Sequence, residues 1–190
     1  MEIIVTGYIG LEGTGVLATL LYEKLTERVP AAMVRRARDF GQKLDVCREE
    51  EIIKSLQSIL PNACLWQEVK EGGIFTALWE MAAASNVGIR VGIKNIPVRQ
   101  ETIEICEYAE VHPYRLLSGG CVLLVCEDAI ACKEAFLEQG IPAAVVGRIT
   151  DDNKCILFRD GEESFLERHA GDELKSFKKR YRIRETGEGK

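Results

Sequence analysis

The sequence predicts an α/β (α+β) fold, a mixed sheet with helices on its faces. Short β-branched or apolar runs are interspersed with amphipathic segments of helical period along the whole chain. One run, Cys121-Val-Leu-Leu-Val-Cys126, is apolar at every position, as expected of a central strand buried on both faces. Turn residues separate these segments, with no internal repeat, low-complexity tract or long linker.

Taken in order, Glu2–Thr6 reads as a strand ending at Gly7. Gly7–Gly15 is a glycine-rich connection. Val16, Leu17, Leu20, Leu21 and Leu25 then recur at helical spacing and predict a helix over 14–26. Pro30–Lys43 is basic, with Arg35, Arg36, Arg38 and Lys43 close together. Glu49–Leu60 predicts an amphipathic helix stopped by Pro61-Asn62, and Ala63–Gln67 a strand. A helix over Gly73–Ala84, a half-buried strand over Val87–Ile93 and a helix over Pro97–Tyr108 follow. His112–Gly120 is a compact connection into the Cys121–Cys126 strand. Asp128–Gln139 predicts a helix closed by Gly140. Ala143–Ile149 and Lys154–Arg159 predict strands joined by the hairpin-like turn Asp151-Asp152-Asn153, and Asp172–Phe177 a last helical turn. Residues 1–177 are expected to form one domain, and 178–190 a charged, frayed tail.

The 190 residues, 46% hydrophobic and 29% charged, suit an ordinary folded domain with a sizeable core. A net charge of −5 offers no basic face for nucleic acid. No apolar run approaches the roughly 20 residues that span a bilayer. The opening Met-Glu-Ile-Ile-Val-Thr-Gly lacks the features of a secretory signal, so the cytoplasm is the expected location, with no membrane partner. Seven cysteines at scattered spacings and two distant histidines, His112 and His169, do not make the usual zinc pattern. Buried reduced thiols are the expectation; redox sensing through Cys121, Cys126 or Cys132 is the alternative.

The run with most chemical content is Glu68-Val-Lys70-Glu-Gly72-Gly73-Ile-Phe-Thr-Ala-Leu-Trp-Glu-Met-Ala82, a strand end, a paired-glycine turn and an amphipathic helix. Two glycines at a helix entrance bare backbone N–H groups and remove Cβ atoms, so an anion can approach closely. Lys70 adds positive charge. The same glycines also suit close packing of helix on sheet, with Glu68 and Lys70 solvated. Gly10–Gly15 lacks the Gly-Lys-Ser/Thr ending of a P-loop and the glycine order of a dinucleotide fold, so it reads as a tight turn with helix packing. Arg35, Arg36 and Arg38 are read as a solvated face, with contact to an acidic partner or a phosphate as the alternative. With no second histidine near either in sequence and no nucleophile motif beside them, His112 and His169 are not read as catalytic bases.

The run resembles the Asp-x-(Ser/Thr)-x-Gly-Gly…Ala-Leu-x-Glu-Met/Ile-Ala signature of the C-terminal domain of the AIR synthase (PurM)/HypE superfamily. Four further stretches resemble that family in the same order: Ile3–Ala18; Asn86-Val-Gly-Ile89 with Ile96-Pro97-Val98; Leu116–Leu123; and Gly140-Ile-Pro-Ala143 with Val146-Gly-Arg-Ile149. The resemblance implies the PurM C-terminal-domain fold. It also implies departures: Glu68 stands for the family's Asp, Lys70 for its small hydroxyl residue, and Gly119 where an acid is common. A carboxylate one methylene longer misplaces a ligand on an ion as demanding as Mg²⁺.

The candidate ligand-binding residues are therefore Glu68, Lys70, Gly72, Gly73, Ser118, Gly119 and Gly120, a phosphate- or nucleotide-facing turn, with no catalytic residue and no metal ligand assigned. Family members carry an ATP-binding domain ahead of this one, and Met1 stands at the boundary. The expectation is thus no cofactor for the chain by itself, and Mg-ATP only with a partner domain. No cysteine follows Cys155, so HypE's tail chemistry is not implied. A homodimer is expected, with a separate ATP-binding domain protein as a further partner. The leading reading is a binding or assembly module without its own ATP-dependent catalysis; the alternative is a partner-dependent, ATP-using synthetase or ligase subunit.

Overall fold

The computed structural model describes residues 1–42, 47–59, 65–168 and 171–181. Its strands are β1 (Glu2–Thr6), β2 (Leu65–Val69), β3 (Gly88–Gly92), β4 (Cys121–Cys126), β5 (Ala143–Thr150), β6 (Cys155–Arg159) and β7 (Glu162–Phe165). They form one seven-stranded sheet in the order β2-β4-β1-β5-β3-β6-β7. Its pairs are antiparallel except β3–β6, which is parallel, making the sheet mixed as expected. The helices are α1 (Leu11–Leu20), α2 (Tyr22–Thr26), α3 (Ala31–Arg38), α4 (Cys47–Ile59), α5 (Gly73–Ser85), α6 (Gln100–Ala109), α7 (Ala129–Glu138) and α8 (Glu173–Arg180).

Strand alternation explains the wholly apolar β4. Cys121, Leu123 and Val125 face a core shared with Ile74, Leu78 and Met81 of α5. Val122, Leu124 and Cys126 face the opposite core, with Ile53 of α4 and Phe136 of α7. All six residues of the strand are buried. A third apolar cluster joins α1, α2, α3, α6 and α8 through Leu17, Leu25, Val34, Ile105, Leu174 and Phe177. Full burial of side chains of this size contributes about 1.5–3 kcal/mol each.

Several expectations are corrected. The helix predicted over 14–26 begins at Leu11 and divides at Leu21. Gly13 and Gly15 lie inside α1, where their missing side chains admit the Leu116 side chain and the backbone of Gly41. The close packing expected of these glycines is thus found inside the helix, and the tight turn is confined to Gly10, at φ 71°. The helix predicted from Pro97 begins at Gln100, because the preceding residues are extended: Ile9 N–H bonds the Pro97 carbonyl at 3.0 Å, and Ile9 forms a parallel bridge with Val98.

The hairpin predicted across Asp151–Asn153 does not form. β5 and β6 both pair with β3, which lies between them. The hairpin of this region is β6–β7, turning at Asp160-Gly161, and β7 was not expected. The last helical turn extends to Arg180. The readings of Lys43, Pro61-Asn62, the first residues of the Ala63–Gln67 strand, His169 and residues 182–190 lie outside the described residues.

Candidate functional site

The connections after β1 and β2 meet the one before β4 at one end of the sheet. Thr6 Oγ1 accepts the Val122 N–H at 3.1 Å, and Gly7 is packed against the Gly120 carbonyl. Ser118 is fully buried; its Oγ accepts the Gly10 N–H at 2.7 Å and donates to the Leu116 carbonyl at 2.7 Å. The Lys70 carbonyl receives the N–H groups of both Gly73, at 3.1 Å, and Ser118, at 3.2 Å. The fold thus brings the 70–73 and 118–120 segments together through their backbones. Gly119 is buried and Gly120 partly so.

Gly72 and Gly73 both adopt left-handed backbone, with φ of 79° and 65°. A Cβ at Gly73 would stand 2.6 Å from the Tyr114 carbonyl oxygen and 2.8 Å from that of Leu116. The close-packing role of this glycine is therefore real. Gly72 has another partner: its N–H donates to Asp172 Oδ2 at 2.7 Å. Asp172 Oδ1 accepts the Leu174 N–H at 2.8 Å, capping α8. The Asp172 side chain is buried, with the residue 2% exposed. The anion at the entrance of α5 is thus a carboxylate of the chain itself.

Glu68 and Lys70 form an ion pair at 2.7 Å, with the lysine largely exposed. The hydrogen bond to Glu68 and then its charge raise the Lys70 ammonium above its usual range. Beside the turn lies a cavity of about 290 Å³ lined by Glu71, Gly72, Thr76, Trp79, Glu80, Arg168 and Gly171. Arg168 sits over the Trp79 ring at 5.2 Å, and Lys175 pairs with Glu71 at 2.6 Å. Asp172, Trp79 and Arg168 were missed in the sequence. Asp172-Glu-Leu reads as a helix cap, but nothing local points from it to Gly72. Tyr114 also went unremarked; it stacks on Phe75 at 5.2 Å, and burial raises its phenol despite the opposing charge of Arg159.

The basic stretch is largely engaged. Arg36 pairs with Glu101 at 3.0 Å, and Arg38 lies 4.8 Å over the Tyr22 ring. His112 is exposed, with its ring 5.4 Å from Phe75. Among the described residues no group of three His, Cys, Asp or Glu side chains is arranged to hold a metal ion. Nor is any described helix long and apolar enough to cross a membrane.

The family described as AIR synthase related protein, C-terminal domain, matches residues 1–160. This chain belongs to that family. It is 29% identical over 163 residues to a putative hydrogenase expression/formation protein of Methanocaldococcus jannaschii, covering 82% of this chain and 44% of the relative. It is 26% identical over 161 residues to the phosphoribosylformylglycinamidine synthase subunit PurL of Corynebacterium glutamicum, covering 83% of this chain and 20% of that protein. Among solved structures, a chain of the HypE–HypF complex superposes with a TM-score of 0.70 at 22% identity, covering 88% of this chain and 52% of the other. At that identity the superposition speaks for the fold alone. The chain therefore spans less than half of these curated relatives and about half of the HypE–HypF complex chain.

Proposed function

We propose that this chain is a HypE-like binding or assembly module of the AIR synthase-related family, without Mg-ATP turnover of its own. One observation carries the reading: the groups that would receive a phosphate at the paired-glycine turn are engaged inside the chain. The Gly72 N–H is held by Asp172, the Ser118 hydroxyl by Gly10 and Leu116, and Lys70 by Glu68. A protein partner is the natural complement of such a scaffold, either a second copy or a separate ATP-binding domain protein. The HypE–HypF complex supports a protein partner by likeness, the hydrogenase expression/formation relative supports hydrogenase maturation as the setting, and the cytoplasm is the location of this reading.

The second reading is a partner-dependent, ATP-using synthetase or ligase subunit. It is favoured by the cavity of about 290 Å³ beside Gly72, where Arg168 and Thr76 face the same space. In that reading Mg-ATP is held only with a partner domain, which supplies the acidic metal ligands.

Titration calorimetry of the purified chain with Mg-ATP tests the leading reading. It expects no binding heat into the millimolar range, and no effect of Glu68→Gln or Lys70→Ala. A micromolar Kd, around −8 kcal/mol, would overturn it. Sedimentation of the chain alone tests for the dimer.

A further inference from the structure

We infer that the groove bounded by α2, α3 and the end of α8 docks an acidic segment of a partner protein. This deepens the module reading, on which the expectation of a protein partner rests, by naming the partner's chemistry. Three hollows run into one another there. The first, of about 210 Å³, is lined by Lys24, Arg28, Tyr108 and Tyr181. The second, of about 510 Å³, shares Lys24 and Tyr181 with it and reaches Arg38. The third, of about 430 Å³, shares Thr19 and Arg38 with the second and reaches Arg35. Arg28, Lys24, Arg38 and Arg35 thus follow one another along a continuous track, all of them exposed.

Among the described residues none of these four cations forms an ion pair, whereas Arg36, Lys70, Arg90, Lys94 and Lys175 each have a carboxylate partner. Two of the four are held by rings instead. Arg28 lies 5.8 Å from the centre of the Tyr108 ring, and Arg38 lies 4.8 Å from that of Tyr22. An arginine seated on a ring has already given up rotamer freedom and keeps its charge, so an arriving carboxylate has less to order. Leu20 and Tyr181, 41% and 53% exposed, line the middle hollow and suit an apolar side chain of the same segment. Positive charge spread over three joined hollows matches an extended segment with several carboxylates better than one small anion. Carboxylates also intrude on the track: Glu23 and Asp39 line it, and Glu27 and Glu107 adjoin Arg28 and Tyr108 in sequence. They oppose a nucleic acid, charged at every phosphate, more than a peptide whose acids are spaced to miss them. The chain's own residues 182–190 are no complement, since Arg182, Arg184 and Lys190 outnumber Glu185 and Glu188.

The test uses the full chain and a labelled synthetic peptide, a glutamate run broken by one leucine and one phenylalanine, followed by fluorescence anisotropy at low salt. Saturable binding in the micromolar range is expected, weakening as salt is raised. Lys24→Glu with Arg35→Glu is expected to weaken it at least tenfold. Neither side chain makes a hydrogen bond or ion pair among the described residues, so the fold is expected to survive. If it does not, Arg38→Gln decides, with a loss of at least threefold expected. Lys54→Glu with Lys133→Glu makes the same charge change on α4 and α7, away from the groove, and should bind as the unaltered chain does. No saturable binding, equal losses in the two double variants, or tighter binding of a labelled oligothymidylate overturns the proposal. So does a dimer of the unaltered chain that Lys24→Glu with Arg35→Glu dissociates, because a second copy then covers the groove. Micromolar Mg-ATP binding beside peptide binding would end the module reading and leave the groove standing. Binding of neither would remove the groove and leave the module reading.

Discussion

Ser118 and Gly10, 108 residues apart in sequence, are joined by a buried hydrogen bond of 2.7 Å from the Gly10 N–H to the Ser118 hydroxyl. That bond ties the glycine-rich connection after β1 to the connection that enters β4. Ser118→Ala removes the acceptor and leaves a buried N–H without it, so a loss of about 1–3 kcal/mol is expected. Urea unfolding followed by circular dichroism measures it. A loss below about 0.5 kcal/mol would mean that water or a shifted carbonyl takes the hydroxyl's place.

Gly73→Ala should cost at least about 2 kcal/mol, from left-handed backbone and collision with two carbonyl oxygens of the 114–116 segment. Gly140→Ala is the matched comparison. Gly140 also has positive φ, at 74°, but nothing lies within 4 Å of an added Cβ. It should lose only the backbone part, about 1–2 kcal/mol. Equal losses in paired denaturation curves would show that the close approach at Gly73 carries no energetic weight.

The Arg36–Glu101 pair predicts a pH dependence. Burial alone would raise the Glu101 carboxyl. Its own backbone N–H, the Arg36 guanidinium and the charge of Arg99 outweigh this and hold it below the usual range. A lowered folded-state value gives stability that is present above the unfolded carboxyl's range and is lost as pH falls through the folded value. Arg36→Ala is therefore expected to destabilise by about 1 kcal/mol at neutral pH, discounted for the exposed arginine, with the difference fading in acid. Melting temperatures of both chains across pH should converge at the acid end; a constant gap would assign the effect to packing.

Thiol alkylation should separate the described cysteines. Burial pushes the Cys106 thiol up to about 12, with the Glu173 charge adding to it. Burial raises Cys121 as well, followed by the charges of Glu49 and Glu68. Cys155 is raised by burial and then by Asp152. Exposed Cys47 is expected to react before any of these three in the native chain. Peptide mapping after brief alkylation reads the order, and early modification of Cys121 would revive the redox alternative.

The fold was legible where the pattern is local. The Cys121–Cys126 run and the α5 and α7 periodicities named their elements almost to the residue. Pairing was less legible, because strand order is a long-range property. Nothing in Asp151–Asn153 reveals that β3 comes between the two strands it connects. The glycines of α1 were legible as packing sites; that Gly13 and Gly15 lie within the helix was not, since their neighbours Leu116 and Gly41 are set by tertiary structure. At the candidate site the turn itself was visible in Gly72-Gly73. Its occupant was not, since Asp172 lies 100 residues from Gly72 and carries no periodic or motif signal beyond a helix cap.

The position of β1 between β4 and β5 has a consequence in time. Ile3 and Ile4 find their neighbours in Val125 and Leu124 on one side and Gly147 and Val145 on the other. During synthesis at about 5–20 residues per second, the first strand waits on the order of ten seconds before both neighbours exist. Until β4 is made, a β-branched apolar segment with two unpaired edges is exposed to solvent and to other nascent chains, and one edge stays open until β5 follows. The middle of this sheet is made of the earliest and latest thirds of its matched sequence, so the centre closes only after β5 has been made.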